Sequence, residues 1–202
     1  GEDGVTHHGV FDMAAFGAVP GLTIAAPMDE LELRNMMYTG LQYGHPFMIR
    51  YPRGNGAGRL WRGVPFEALP VGRGRRLREG TDVALVTVGT VGNAAARAAE
   101  RAAAKGVSVA HYDLRFAKPL DEALLAGVGA EFRHVVTVED GSLRGGVGEA
   151  VTAFFNARGC EVAVHSLGIG DEWVEHGTQA QLYALCGYDE EGILRALLAA
   201  GK

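Results

Sequence analysis

Two kinds of apolar pattern alternate along the chain. Runs that are apolar at nearly every position, Leu22–Ala26, Asp82–Val88 and Val107–Tyr112, predict strands covered on both faces, and Pro46–Tyr51 (PFMIRY) predicts another. Between the first and the last of these lies a helical pattern. In Asp29–Tyr43 the residues Leu31, Leu33, Met36, Met37 and Leu41 recur near helical spacing, and Asp29, Glu30 and Glu32 occupy a first turn where the helix dipole favours anions. The resulting strand, helix and strand need further neighbours that residues 1–60 do not supply, so this segment reads as the tail of a larger domain.

Residues 52–70 hold four glycines and three prolines without periodicity and predict a linker. A second unit follows. His134–Glu139 and Glu161–Ser166 add strands to it, Asn93–Lys105, Leu120–Val128 and Gly148–Ala157 add helices, and two more helical patterns close the chain. Strands alternating with helices in this way predict an α/β domain with a mostly parallel sheet.

Composition narrows the class. With 202 residues, 48% apolar and 21% charged, the chain is long and apolar enough for a buried core, and 30 glycines imply many tight turns. The net charge of −5 argues against a nucleic-acid binder. Arg73, Arg75, Arg76 and Arg78, interleaved with Leu77, form a single basic cluster that reads as a solvated strand edge rather than a phosphate stripe. Two cysteines, Cys160 and Cys186, are too few for a disulfide framework or a zinc site and are expected as core thiols of a reducing compartment. There is no apolar run of membrane-spanning length and no signal-peptide pattern, so the expected location is the cytoplasm, without membrane contact.

Candidate chemistry starts in GEDGVTHHG. Asp3, Thr6, His7 and His8 combine a carboxylate with histidines between glycines, a combination able to hold and move protons at a backbone bend. The alternative is a histidine capping a helix whose first turn is Val10–Met13. Adjacent histidines point in different directions and no third ligand stands at zinc spacing, so a metal site is not expected. Arg53 in YPRGNG follows a strand directly, at the sheet end where open α/β folds bind ligands, and suits a phosphate or carboxylate. Gly141–Gly148 (GSLRGGVG) fits neither phosphate-loop spacing, which favours close helix packing or an interface turn over ligand contact. Asp113, Arg115, Lys118 and Asp121 around Pro119 read as an ion-paired turn.

The ordered motifs GEDGVTHHGVFD, VPGLTIAAPMDELELRNMM, IRYPRGNG, DLRFAKPLDEALL, TVEDGSLRGGVGEAV and GIGDEWVEHGTQAQL resemble the 1-deoxy-D-xylulose-5-phosphate synthase family, transketolase-like enzymes that use thiamine diphosphate and Mg2+. Val5 and Gly170 depart from the family's usual residues, and neither change removes a reactive group. The resemblance implies an α/β fold: the end of a pyrimidine-binding parallel-sheet domain over residues 1–56, a linker at 57–74, and a transketolase-type C-terminal three-layer domain over 75–202. It implies condensation of pyruvate with D-glyceraldehyde 3-phosphate, releasing CO2, by a cytoplasmic homodimer serving isoprenoid, thiamine and pyridoxal synthesis. His7 would lie beside the cofactor's thiazolium carbon, Asp3 in the acceptor pocket and Arg53 on the acceptor phosphate, with Thr6 and His8 behind them. The main diphosphate and Mg2+ ligands would belong to an N-terminal part of the same enzyme, without which this fragment is expected to be inactive. A 2-oxoacid dehydrogenase beta subunit, another transketolase-like enzyme, and a non-enzymatic assembly or regulatory module are the competing readings.

Overall fold

The computed structural model describes residues 1–201. After a 3-10 turn at Val5–His7 the chain forms α1 (Asp12–Gly17), β1 (Thr23–Ala25), α2 (Glu30–Tyr43) and β2 (Phe47–Ile49). Asp29 starts α2, its carboxylate accepting the Glu32 N–H at 2.9 Å, and Gly44 ends it with φ 72°. β2 pairs with β1 in parallel, Thr23 opposite Phe47, as the strand–helix–strand pattern requires.

The glycine- and proline-rich stretch that follows has no regular element up to residue 74, yet it is tied down along α2. The Arg34 guanidinium donates to the carbonyls of Trp61, Val64 and Pro65, and Thr39 Oγ1 accepts the Leu69 N–H at 2.8 Å. Helix side chains thus satisfy backbone groups that no ladder serves. Leu69 is buried with Ala25, Met36 and Phe116 in a small core.

The second unit runs β3 (Arg75–Arg78), β4 (Val83–Val88), α3 (Val91–Ala103), β5 (Val109–Asp113), β6 (Phe116–Lys118), α4 (Glu122–Glu131), β7 (His134–Ser142), α5 (Val147–Ala157), β8 (Ala163–Ile169), α6 (Gln179–Leu185) and α7 (Glu190–Ala200). Five of the strands form one sheet in the order β3-β5-β4-β7-β8. All its pairs are parallel except β3 with β5. Side-chain alternation divides the core in two: Val83, Leu85, Val109 and Val136 face α3 and α7, while Ala84, Val86, Ala110 and Val135 face α4 and α5. Helices therefore cover both faces, in three layers.

The basic cluster does form a sheet edge, but three of its four arginine heads are partnered, while the buried Arg78 Nε has no hydrogen-bond partner among the described residues. Arg75 pairs with Glu32 and Asp113, Arg73 with Asp121, and Arg76 with Glu79 and Glu131. The charged turn around Pro119 is ion-paired as expected, through Asp113, Asp121 and Arg115, while Lys118 Nζ donates to the carbonyls of Gly17 and Val19.

A short strand that the periodicity does not reveal ties the units together. β6 pairs antiparallel with β1, giving a three-stranded sheet in the order β2-β1-β6. Among the described residues no helix is long and apolar enough to cross a membrane.

Candidate functional site

A cavity of about 630 Å³ opens between the two units, lined on one side by residues 1–12 and 48–54 and on the other by residues from Asp140 to Tyr188. Asp3, His7 and Arg53 all border it. The bend that presents Asp3 and His7 rests on Gly4 (φ 85°) and Gly9 (φ 69°), backbone conformations that side-chain-bearing residues rarely adopt. His7 ends the 3-10 turn, exposed, with Nδ1 hydrogen-bonded to Thr6 Oγ1 at 2.9 Å. His8 points elsewhere, its Nε2 donating to the Val174 carbonyl at 2.8 Å. Neither histidine caps α1; Asp12 does part of that work by accepting the Met13 N–H. The capping alternative is therefore not realised.

Arg53 leaves β2 in the loop on the cavity rim and forms an ion pair with Asp3. Both are open to solvent, the Arg53 side chain at 82%, so this pair contributes little to stability and an anion can replace Asp3 as the partner.

Further polar groups, which no sequence motif singles out, lie deeper. Arg50 Nε donates to Asp12 at 2.8 Å, with both side chains largely buried. Asp140 accepts hydrogen bonds from Tyr183 at 3.0 Å and Tyr188 at 2.9 Å. Burial, with the Asp140 charge second, pushes both phenols well above the usual tyrosine range, so they stay protonated donors. Burial also raises the Cys186 thiol, again with Asp140 adding to it, and both cysteines are free and partly buried. Arg53 was expected directly after a strand, but β2 ends at Ile49, four residues before it, and Arg50 is the arginine that directly follows β2, so the strand-end rule points to Arg50 first. Asp140 and the tyrosines are joined only by the fold.

The glycine-rich loop is a packing device. Glu139, buried within β7, accepts the N–H groups of Val147 at 2.9 Å and Gly148 at 2.8 Å and so closes the N-terminus of α5. Burial raises its pKa, opposed by those two backbone bonds. A Cβ on Gly148 would lie 2.5 Å from Ser166 Oγ and 2.7 Å from Thr137 Oγ1. The same loop meets the first unit, where the Ser142 N–H donates to the Val10 carbonyl at 3.0 Å.

For a thiamine-diphosphate-sized ligand the cavity offers room and a histidine on its rim, but its arginines are already paired with aspartates. Among the described residues no three His, Cys, Asp or Glu side chains gather as a metal site.

Residues 72–193 match the family described as "Transketolase, C-terminal domain", and residues 1–58 match "Transketolase, pyrimidine binding domain". The 1-deoxy-D-xylulose-5-phosphate synthase of Bacteroides fragilis is 55% identical over 199 residues, which are 98% of this chain and 31% of that protein. The Bacteroides thetaiotaomicron enzyme of the same name is 52% identical over 200 residues, again 98% and 31%, and the Anaeromyxobacter dehalogenans one is 46% identical over 208 residues, 98% and 32%. The chain thus spans about a third of the length of these curated relatives. A solved structure described as a split gene transketolase, inactive beta4 tetramer, superposes with a TM-score of 0.85 at 26% identity, covering 98% of this chain and 65% of that one. On the family matches, the fold and these relatives together, the chain belongs to the transketolase family.

Proposed function

We propose that this chain is the C-terminal part of a thiamine-diphosphate-dependent transferase that condenses pyruvate with D-glyceraldehyde 3-phosphate, releases CO2 and yields 1-deoxy-D-xylulose 5-phosphate. The observation that carries the reading is the meeting of Asp3, His7 and Arg53 on one cavity, two of them 46 and 50 residues from the third in sequence. The names of the relatives support it. The domain division is residues 1–56, 57–74 and 75–202, and the enzyme is cytoplasmic and homodimeric.

In this reading Arg53 exchanges Asp3 for the acceptor phosphate and grips it with a two-pronged fork, so that binding energy far from the reacting carbons orients the aldehyde. Asp3, once released, accepts an acceptor hydroxyl or orients His7. His7 donates a hydrogen bond or a proton to the oxygen that becomes negatively charged as the new carbon–carbon bond forms. Thiamine diphosphate, when bound, supplies the nucleophilic carbon that carries the unit derived from pyruvate. An N-terminal portion of the same enzyme would hold its diphosphate and Mg2+, and His7 would be the side chain of this chain that faces its reactive end.

The test is reconstitution. This chain, joined to or mixed with the N-terminal portion of the Bacteroides fragilis relative, is assayed with thiamine diphosphate and Mg2+ for CO2 released from labelled pyruvate. Release that depends on D-glyceraldehyde 3-phosphate is expected, with none from this chain by itself. A reconstituted enzyme that ignores the aldehyde would remove the reading.

A further inference from the structure

Arg53 has a side chain with one partner, Asp3, and almost no packing around it, so its direction is set by its own main chain. That main chain is held from the other unit. Gln179 Nε2 donates to the Arg53 carbonyl at 2.8 Å across 126 residues of sequence. Pro52 restricts the main chain before Arg53, and Gly54 after it, with φ 152°, leaves room for Gln179, whose Oε1 would lie only 3.1 Å from a Cβ there.

Gln179 is itself anchored. It is the first residue of α6, whose start is fixed by a reciprocal cap between Thr178 and Gln181, and Leu182 in the next turn is buried. Tyr51, Pro52, Gly54 and Gln179 border both the 630 Å³ cavity and a second one of about 570 Å³, so the pinned loop is the partition between them.

We infer that Gln179 is a positioning residue for the acceptor: by holding the Arg53 carbonyl it lets the C-terminal unit set how well the phosphorylated aldehyde is gripped. This rests on the reading of Arg53 as the phosphate ligand. Gln179 is exposed and touches no core, so its variants keep the fold, which a melting curve checks.

In the reconstituted enzyme, Gln179→Ala loses one neutral hydrogen bond and is expected to raise KM for D-glyceraldehyde 3-phosphate about fivefold. Gln179→Glu, which turns a donor into an acceptor facing a carbonyl, raises it at least as much. In both variants kcat and the KM for pyruvate stay within about twofold, and unphosphorylated D-glyceraldehyde is used as by the parent enzyme. The double variant Gln179→Ala with Arg53→Ala is no worse than Arg53→Ala alone, because the first acts through the second. An unchanged KM, an equal rise with both aldehydes, or additive losses overturns the inference while leaving Arg53 in place. If Arg53→Ala itself leaves the phosphate dependence untouched, the reading of Arg53 fails first and this inference with it.

Discussion

Arg115 and Glu32 meet through two hydrogen bonds of 2.9 Å, Nε to Oε2 and Nη2 to Oε1, across the junction of the two units. Glu32 also accepts from Arg75 at 3.0 Å, and its side chain is 6% exposed. Arg115 has φ 60°, unusual for a non-glycine residue, and several bonds hold it there: its N–H donates to Asp113 and its carbonyl accepts the Ala26 N–H.

Glu32→Gln should therefore destabilise the chain by about 2–3 kcal/mol, since it leaves two partly buried guanidinium groups without their shared anion. Urea titration reads the loss as a lower midpoint. A midpoint equal to the parent's would show that solvent replaces the carboxylate at this junction.

On β5 two buried groups have opposite pH dependence. Burial, with Arg75 and Arg78 nearby, lowers the His111 pKa from 6.5 to about 4. Burial also raises Asp113 from 3.8 to about 6, with Arg75 opposing. Between pH 4 and 6.5 the unfolded chain protonates this histidine more than the folded chain does, so the His111 contribution to stability rises with pH and spans about 3 kcal/mol in full. Asp113 binds its proton more tightly when folded, so its contribution falls as pH rises from 3.8 to about 6. Asp113→Asn should then steepen the loss of stability on acidification, and His111→Gln should flatten or reverse it. Urea midpoints for both variants at several pH values check the signs.

Gly148→Ala should cost about 1–3 kcal/mol through overpacking, because the new methyl meets the Ser166 and Thr137 hydroxyls. Adding Ser166→Ala removes the nearer oxygen and should restore part of the loss. Thermal melting of the single and double variants measures both.

In the reconstituted enzyme Arg53→Ala should raise the KM for D-glyceraldehyde 3-phosphate roughly ten- to a hundredfold, the effect of losing a charge-assisted contact of about 1.5–3 kcal/mol. His7→Ala should instead lower kcat with both substrates saturating. Steady-state kinetics separates the two, and a His7→Ala enzyme with parental turnover would take His7 out of the reaction.

The strands and helices of the larger sheet, apart from the arginine-rich edge strand β3, were legible because each carries its own signal: continuous apolar runs such as Asp82–Val88, and helical spacing between them. β6 carries none. Phe116–Lys118 is three residues before a proline, and it is a strand only because β1 lies beside it. Glu32 shows the same limit inside a legible helix. Its place in the first turn suggested an interaction with the helix dipole, while the fold surrounds it with arginines 43 and 83 residues away. At the site, Asp3, His7 and Arg53 stood out by residue type and by their bends or strand end. Gln179 and Asp140 act through partners that only tertiary structure supplies.

The pairing of β6 with β1 makes the covalent thread between the units redundant as a fastener. A single cut in the connector, between Arg59 and Pro65 for instance, would leave two polypeptides interleaved through one sheet, the Glu32 ion pairs and the cavity walls. What the cut removes is the high effective concentration of one piece for the other, so the nicked molecule would hold together until diluted below the dissociation constant of its own halves.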